Sequence, residues 1–198
     1  MTTLTDEARE RFLKDTAEHE ITVLHNDGLY RHARFAKPGT VIYSYSIATW
    51  PGWLAITGDV GEYMFSRVPD MFGFFLEEGR SLSISPDYWS EKLPRRMEAR
   101  SFSLATYTGY VKDWRDNVAE MLFSDEIPDF DQAVQENLLA DWIAPTTSES
   151  AHRLLNDFSH NGRHVYDSFE WDFTEFSWDF LWSCWAIVYG IQQFRDAK

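Results

Sequence analysis

The sequence has little cysteine and no long hydrophobic run. Its single cysteine, Cys184, excludes an internal disulfide and a metal site built from several cysteines. The longest apolar run, residues 180–191, has about a dozen residues, whereas a membrane helix needs about 20. Residues 1–15 are charged and lack the apolar core of a secretion signal. We therefore expect a cytosolic protein that does not span a membrane.

Positive charge is also scarce. The chain has 18 Lys and Arg against 32 Asp and Glu, a net charge of −14, and residues 101–198 carry −11 of it. A surface of this sign repels phosphates and attracts basic proteins. We therefore expect no direct binding to nucleic acid or to a membrane surface, and a partner with a basic surface if the charge is functional. The alternative is that the charge only keeps the protein soluble.

The sequence lacks the common catalytic motifs. It contains no phosphate-binding loop, no GxSxG elbow, no dinucleotide fingerprint and no HExxH pattern. His160, His164 and Asp167 are close enough in sequence to form an acid–base site, but Asn161-Gly162 argues against one helix that carries both histidines. We expect a protein without cofactor or metal, favour a binding protein over an enzyme, and keep these three residues as an alternative catalytic site.

The stretch from Glu20 to Arg67 contains five short β-type runs. Turn residues separate them at Asn26-Asp27-Gly28, Lys37-Pro38-Gly39, Pro51-Gly52 and Gly58-Asp59-Val60-Gly61. In the third run the alternation is Val41, Tyr43, Tyr45, Ile47 and Thr49 on one face and smaller residues on the other. The pattern predicts an antiparallel meander with a helix layer against its bulky face, and two tryptophans, Trp50 and Trp53, paired across a hairpin.

Helical patterns surround this sheet. They predict a helix over residues 5–18 capped by Thr5, short helices after Asp70 and Ser85, and longer helices over 101–122, 130–142, 147–158 and from Ser177 to about Phe194. Met121 and Trp142 fall on the apolar stripes of two of them. We therefore predict the α+β class: one domain over residues 1–198, with a sheet portion at about 20–67, a mostly helical portion at about 69–198 and a buried last helix.

Acids and aromatics interleave from Asp167 to Phe180. Such a surface combines charge that steers a basic partner with apolar anchors, or mimics the phosphates of a nucleic acid. The alternative is a loop whose aromatics fill the core while its acids face solvent. The residues predicted to bind are Asp167, Glu170, Trp171, Asp172, Glu175, Trp178 and Asp179.

Several strings give the chain a family likeness. TVLHNDGLYRHARFAKPGT, TWPGWLAITGD, YMFSRVPDMFGFF and FLWSCWAIVYGIQQF lie within residues 20–78 and 155–194, and residues 95–145 have no counterpart. The sequence resembles a family of small proteins encoded by temperate phages and prophages. The resemblance implies no particular catalytic residues.

Phage kinship implies a protein that acts in the bacterial host cytosol. Small accessory phage proteins often bind and block a host machine, and an acidic protein suits a defence complex with a basic nucleic-acid channel, such as a CRISPR effector. The leading hypothesis is a stoichiometric, anti-CRISPR-like inhibitor. The alternative is a small enzyme that acts on a nucleotide or nucleic acid through His160, His164 and Asp167. The sequence leaves the target and the oligomeric state open.

Overall fold

The computed structural model describes residues 3–197, which form two compact units. Unit 1 comprises the chain up to Ala99 and from Phe176 onward, and unit 2 is the continuous stretch Arg100–Glu175. An N-terminal antiparallel sheet precedes a mostly helical remainder, so the predicted α+β class is confirmed. The single domain over residues 1–198 stays a prediction, because two compact units in one chain can still fold together.

Unit 1 is built on a five-stranded meander in which each strand pairs with the next along the chain. The strands are β1 (Glu20–Asp27), β2 (Tyr30–Ala36), β3 (Tyr45–Trp50), β4 (Trp53–Gly58) and β5 (Glu62–Ser66). Three of the turns contain a glycine with positive φ, which glycine adopts without strain: Gly28, Gly39 and Gly52. Trp50 lies opposite Trp53 with ring centroids 6.3 Å apart, so the predicted tryptophan pair is confirmed.

The third strand is shorter than the sequence pattern predicted. Tyr43 has a φ of 55° and its N–H donates to Asp59 Oδ2 at 2.9 Å. This left-handed turn ends the alternation, so β3 begins only at Tyr45. Within β3 the predicted bulky face is correct, because Tyr45, Ile47 and Thr49 are buried.

The α-helices of the described residues divide between the units. Unit 1 contains α1 (Leu4–Asp15), α2 (Met71–Phe75), α3 (Pro86–Ser90) and α7 (Trp178–Asp196); unit 2 contains α4 (Leu104–Ala119), α5 (Ile127–Val134) and α6 (Ser148–Asp157). The predicted cap of α1 is wrong. Thr3 is the cap: its hydroxyl accepts the Asp6 N–H at 3.2 Å, and the Asp6 carboxylate accepts the Thr3 N–H at 3.2 Å, whereas Thr5 lies inside the helix.

Helix α7 fills the centre of unit 1. Ser177 caps it, as predicted, by accepting the Phe180 N–H at 3.3 Å. The helix is apolar on nearly all sides, and it packs with α1 against the bulky face of the sheet. Phe12 of α1 contacts Trp182 of α7 and Tyr45 of β3, with ring centroids 5.1 and 6.3 Å apart. The prediction of a buried last helix is therefore confirmed.

Unit 2 has a separate apolar core. Three helices, α4, α5 and α6, contribute to it through Tyr107, Val111, Phe130, Val134, Ala151 and Leu155. Two short strand pairs accompany these helices. They are β6 (Arg100–Phe102) with β9 (Thr174–Phe176), whose last residue belongs to unit 1, and β7 (Ser159–His160) with β8 (Arg163–His164).

Two predicted core positions of unit 2 are exposed instead. Helix α4 ends at Ala119, so Met121 lies beyond it and is 77% exposed. After α5 the chain continues as a π-helical turn over 135–139, becomes extended at Ala140 and forms a 3₁₀ turn over 141–143. This change of helical period rotates Trp142 out of the apolar stripe, and its side chain is 82% exposed.

Candidate binding surface

The acidic and aromatic stretch lies across both units. Its residues Asp167 to Glu175 belong to unit 2, whereas Trp178 and Asp179 belong to unit 1. The stretch therefore divides into two segments, which the chain positions in different ways.

The first segment overlaps a loop, Tyr166–Glu170, whose last three residues form a 3₁₀ turn, and this loop presents two large aromatics to solvent. The side chains of Tyr166 and Phe169 are 71% and 73% exposed. Two buried residues alternate with them: Val165 packs in the core of unit 2, and the Ser168 hydroxyl donates to Asn156 Oδ1 of α6 at 3.2 Å. The loop is thus anchored to the unit on both sides of Tyr166. We refer to Tyr166–Glu170 as the 166–170 loop.

The carboxylates of this segment face solvent to different degrees. Asp167 has a φ of 56°, the left-handed region that Asp tolerates better than most residues, and its side chain is exposed, as is that of Glu170. Asp172 accepts hydrogen bonds from the N–H and the hydroxyl of Thr174, at 2.9 and 2.7 Å. These bonds hold the pKa of Asp172 below its ordinary value, and they also fix the position of the carboxylate. Glu175 is half-buried in β9.

The aromatics that follow the loop turn inward. Trp171 is half-buried and stacks on Tyr110 of α4, with ring centroids 5.3 Å apart and planes within 15°. Phe173 is fully buried, and its ring packs edge-on against Tyr107 at 5.5 Å. Within the stretch the aromatics thus differ in exposure: Phe169 faces solvent, as does the preceding Tyr166, whereas Phe173 fills the core. Binding through this stretch stays a prediction.

The second segment opens α7 in unit 1. Trp178 is 42% exposed, and the Arg11 guanidinium lies over its ring at 6.0 Å. Asp179 is exposed in the first turn of the helix, where a negative charge is favourable to the helix dipole. Trp178 and Asp179 therefore each have a local role at the start of α7, in the contact with Arg11 and in the first turn of the helix.

Exposed apolar side chains of unit 2 extend beyond the predicted stretch. Met121, Phe123 and Trp142 are 77%, 79% and 82% exposed. Sequence analysis missed them as contact residues because periodicity assigned Met121 and Trp142 to the core. The end of the helical pattern near residue 122 was a signal for Met121, whereas the sequence pattern gave none for Trp142.

Unit 2 also carries most of the charge of the chain. Its 76 residues hold 5 Lys and Arg against 15 Asp and Glu, a net charge of −10, whereas unit 1 has −4. Unit 2 therefore combines a high negative charge with large exposed aromatics. Large exposed apolar groups on a charged surface are typical of protein interaction sites.

The alternative catalytic residues are arranged differently from the prediction. His160 Nε2 lies 2.9 Å from Asp129 Oδ2 in the first turn of α5, and Asn161 Nδ2 lies 3.4 Å from the same oxygen. Asn161 and Gly162, with φ of 49° and 74°, form a two-residue turn between β7 and β8. His160 thus pairs with Asp129, which the sequence did not single out, rather than with Asp167.

The hairpin register separates the two histidines. Ser159 lies opposite His164 and His160 opposite Arg163, so neighbouring side chains alternate and His164 points away from the face of His160. The His164 ring instead contacts Tyr166, with centroids 6.0 Å apart. Beside His160 lies a cleft of about 220 Å³, whose lining includes Asn137 and Asp157.

Comparison with known proteins gives no match: no protein family, curated protein or solved structure matches the chain. Within residues 3–197, no group of three or more His, Cys, Asp or Glu side chains is arranged to hold a metal ion. None of the described helices combines the length and the apolarity needed to cross a membrane.

Proposed function

We propose that the protein is a phage-encoded inhibitor that binds a bacterial defence machine stoichiometrically through unit 2. One observation carries the proposal: a unit of net charge −10 presents Tyr166 and Phe169 on an anchored loop. The phage origin and the defence target rest on the family resemblance of the sequence.

The surface suits a basic partner for two separate physical reasons. Its carboxylates attract a positively charged surface over a distance of about 10 Å at moderate salt, which raises the association rate. Its exposed aromatics then bury large apolar areas, which is where most binding energy of an interface arises. Because Val165 and Ser168 already fix the loop, binding costs less conformational entropy than the ordering of a flexible segment would.

Defence machines that hold nucleic acid have basic channels, and a CRISPR effector complex is the example that fits best. The acidic surface repels nucleic acid itself but matches the protein surface that nucleic acid occupies. The expected mode of action is therefore competition for the channel without turnover.

The proposal is tested by expressing the full chain in bacteria that carry CRISPR immunity and measuring the plating efficiency of a targeted phage. We expect the wild-type protein to restore plating. The variant Tyr166→Ser/Phe169→Ser should lose this effect, and its affinity for the purified effector should fall by about 30-fold or more, because exposed anchors of this kind contribute about 2 kcal/mol or more. Glu170→Lys should weaken binding most at low salt.

Matched controls lie in unit 1. Tyr30 is 53% exposed and Glu10 is exposed on α1, so Tyr30→Ser and Glu10→Lys change the same residue types outside the proposed surface. Both controls should restore plating as the wild type does. Equal inhibition by wild type and by Tyr166→Ser/Phe169→Ser would reject the 166–170 loop as the binding site, and failure of the wild type in every immune strain would reject the function.

The second candidate function is an enzyme built on His160. The contact with Asp129 favours it, because a carboxylate that accepts one imidazole N–H leaves the other nitrogen able to take a proton. The surrounding charge of unit 2 opposes an anionic substrate such as a nucleotide, so this candidate ranks second. It predicts turnover that His160→Ala and Asp129→Asn both abolish while His164→Ala does not.

A further inference from the structure

A cleft of about 260 Å³ opens in unit 1 between α2 and α3. Its lining combines the aromatic side chains of the two helices with polar side chains of the segment that connects them, residues 77–85. Ligand pockets for drug-sized molecules occupy about 300–1,000 Å³, so this cleft accommodates a smaller ligand.

One wall of the cleft is a row of hydroxyl groups. In the segment before α3, Leu82 and Ile84 pack against the core of unit 1. Ser81, Ser83 and Ser85 alternate with them, are exposed and line the cleft. Ser85 precedes α3 but makes no capping hydrogen bond with its side chain, so its hydroxyl is not used by the helix. Three serines, each with a hydroxyl able to donate and accept, therefore line one space.

A second wall is aromatic. Phe74 of α2 and Tyr88 of α3 lie with ring centroids 5.7 Å apart, and Tyr88 is 46% exposed. Beneath them, Phe75 and Trp89 pack edge to face at 4.7 Å and are nearly buried, which fixes the wall. The Lys92 ammonium lies over one face of the Tyr88 ring, 4.3 Å from its centroid, and Lys92 does not line the cleft. The wall thus offers Phe74 and the other face of Tyr88 on a rigid support.

The charges at the rim cancel. Glu77 and Arg80 form an ion pair of 2.7 Å, and both side chains are largely exposed. They supply carboxylate acceptors and guanidinium donors at one place without a net charge. A chain with a net charge of −14 also disfavours anionic ligands. The lining therefore suits a neutral ligand that has both hydroxyl groups and an apolar face.

We propose that this cleft binds a single neutral sugar ring, either free or at the end of a glycan. The C–H face of a pyranose packs on Phe74 and on the face of Tyr88 that Lys92 does not cover, because an aromatic ring is the apolar surface that such a flat, weakly polar face matches. The ring hydroxyls exchange hydrogen bonds with the serine row and with the Glu77–Arg80 pair. The site lies wholly within unit 1 and does not depend on the proposed function.

The experiment is an NMR titration of the isotopically labelled full chain with glucose, galactose, mannose and N-acetylglucosamine. We expect one of these sugars to shift amide signals within residues 73–89, with a Kd on the order of 1 mM, as befits a ligand of about a dozen heavy atoms. The absence of shifts with all four sugars up to about fifty times that concentration would overturn the proposal. Adenosine monophosphate is titrated in parallel, and tighter binding of this anion at the same amides would also overturn it.

Variants separate a specific site from weak nonspecific binding. Tyr88→Ala should weaken binding of the sugar about tenfold or more, since it removes the stacking face, and Ser83→Ala should weaken it to a smaller extent. Both positions are exposed, so the amide spectrum should retain the native fold. The controls Tyr30→Ala and Ser124→Ala, at exposed positions outside the cleft, should bind as the wild type does. Equal affinity in Tyr88→Ala and Tyr30→Ala would reject the cleft.

Discussion

Gly190 shows how a single missing side chain lets α7 lie on the sheet. A Cβ atom at this position would lie 2.6 Å from Ile47 Cδ1 and 3.1 Å from Phe35 Cζ. Both neighbours are buried in the core and are 2% exposed or less, so they have little room to move. Gly109 in α4 is the opposite case, because a Cβ there would meet no atom within 4 Å.

The two glycines therefore respond to alanine with opposite signs. Gly109→Ala should stabilise the protein by up to about 1 kcal/mol, the helix-propensity difference. Gly190→Ala should destabilise it by about 1–2 kcal/mol, because overpacking exceeds the same helical gain. Urea unfolding of both variants measures the difference, and a stabilised Gly190→Ala would contradict the close packing of α7 on β2 and β3.

Cys184 provides a second prediction at the scale of one residue. The thiol is fully buried in α7, and burial raises its pKa well above the ordinary value, so little reactive thiolate forms. Iodoacetamide at about pH 8 should leave the native protein unlabelled and should label it fully in guanidinium. Mass spectrometry reads the result, with Cys184→Ala as the blank. Rapid labelling without denaturant would show that α7 is not stably packed.

At the scale of an element, α2 depends on one carboxylate. Asp70 accepts the Phe72 N–H at 3.0 Å and so caps the helix, and both of its oxygens accept hydrogen bonds from Arg31 of β2, at 2.7 and 3.1 Å. The Arg31 guanidinium also lies over the Phe72 ring at 4.5 Å. One aspartate thus joins the start of α2 to the sheet.

This contact makes part of the stability depend on pH. The hydrogen bonds from Arg31 are the main reason why the pKa of Asp70 lies below its ordinary value. Its stabilising contribution is therefore complete above about pH 4 and is lost as pH falls through the lowered pKa. Asp70→Asn keeps a capping oxygen but removes the charge, and because the carboxylate is partly exposed it should cost only about 1 kcal/mol at pH 7.

The measurement is the urea unfolding free energy of wild type and Asp70→Asn between pH 7 and about pH 2. The difference between the two proteins should shrink as the pH falls. The control Glu98→Gln removes an exposed carboxylate of unit 1, and its unfolding free energy should differ less from that of the wild type at every pH. A difference for Asp70→Asn that stays constant with pH would contradict the charged contact with Arg31.

Local patterns predicted some elements well and others poorly. The meander was predictable because the turn residues of β1 to β5 act locally, as the positive φ of Gly28 and Gly52 shows. The exposure of Trp142 was not predictable, because a π-helical turn and an extended residue precede it. Both follow from packing rather than from periodicity. In the candidate surface, Phe169 and Phe173 have the same chemistry but opposite exposure, which depends on tertiary contacts that the sequence pattern does not contain.

At the scale of the whole molecule, unit 2 is an insertion into unit 1. The chain leaves unit 1 at Ala99 and returns at Phe176, and the Ser177 N–H donates to the Ala99 carbonyl at 2.9 Å. The two ends of unit 1 are therefore adjacent, and the core of that unit draws on its own strands and helices.

Replacement of residues 100–175 by a short Gly-Ser linker should leave unit 1 folded. The linker has only to join two chain ends that already share a hydrogen bond, and tertiary contacts within unit 1 remain. Circular dichroism and a dispersed amide spectrum measure the outcome. A chain without cooperative thermal unfolding would contradict the prediction and would favour one domain over residues 1–198.

The adjacency of Ala99 and Ser177 also bears on the order of folding. Helix α7 reaches its place on the sheet only after the chain has closed a loop of 76 residues. If unit 2 forms first, the pairing of β6 with β9 brings the ends of that loop together in advance. The free-energy cost of closing the loop, which is entropic, is then lower by about 3 kcal/mol than for an open chain of that length. Unit 2 would thereby accelerate the folding of unit 1, because it holds the two chain ends together before α7 packs on the sheet.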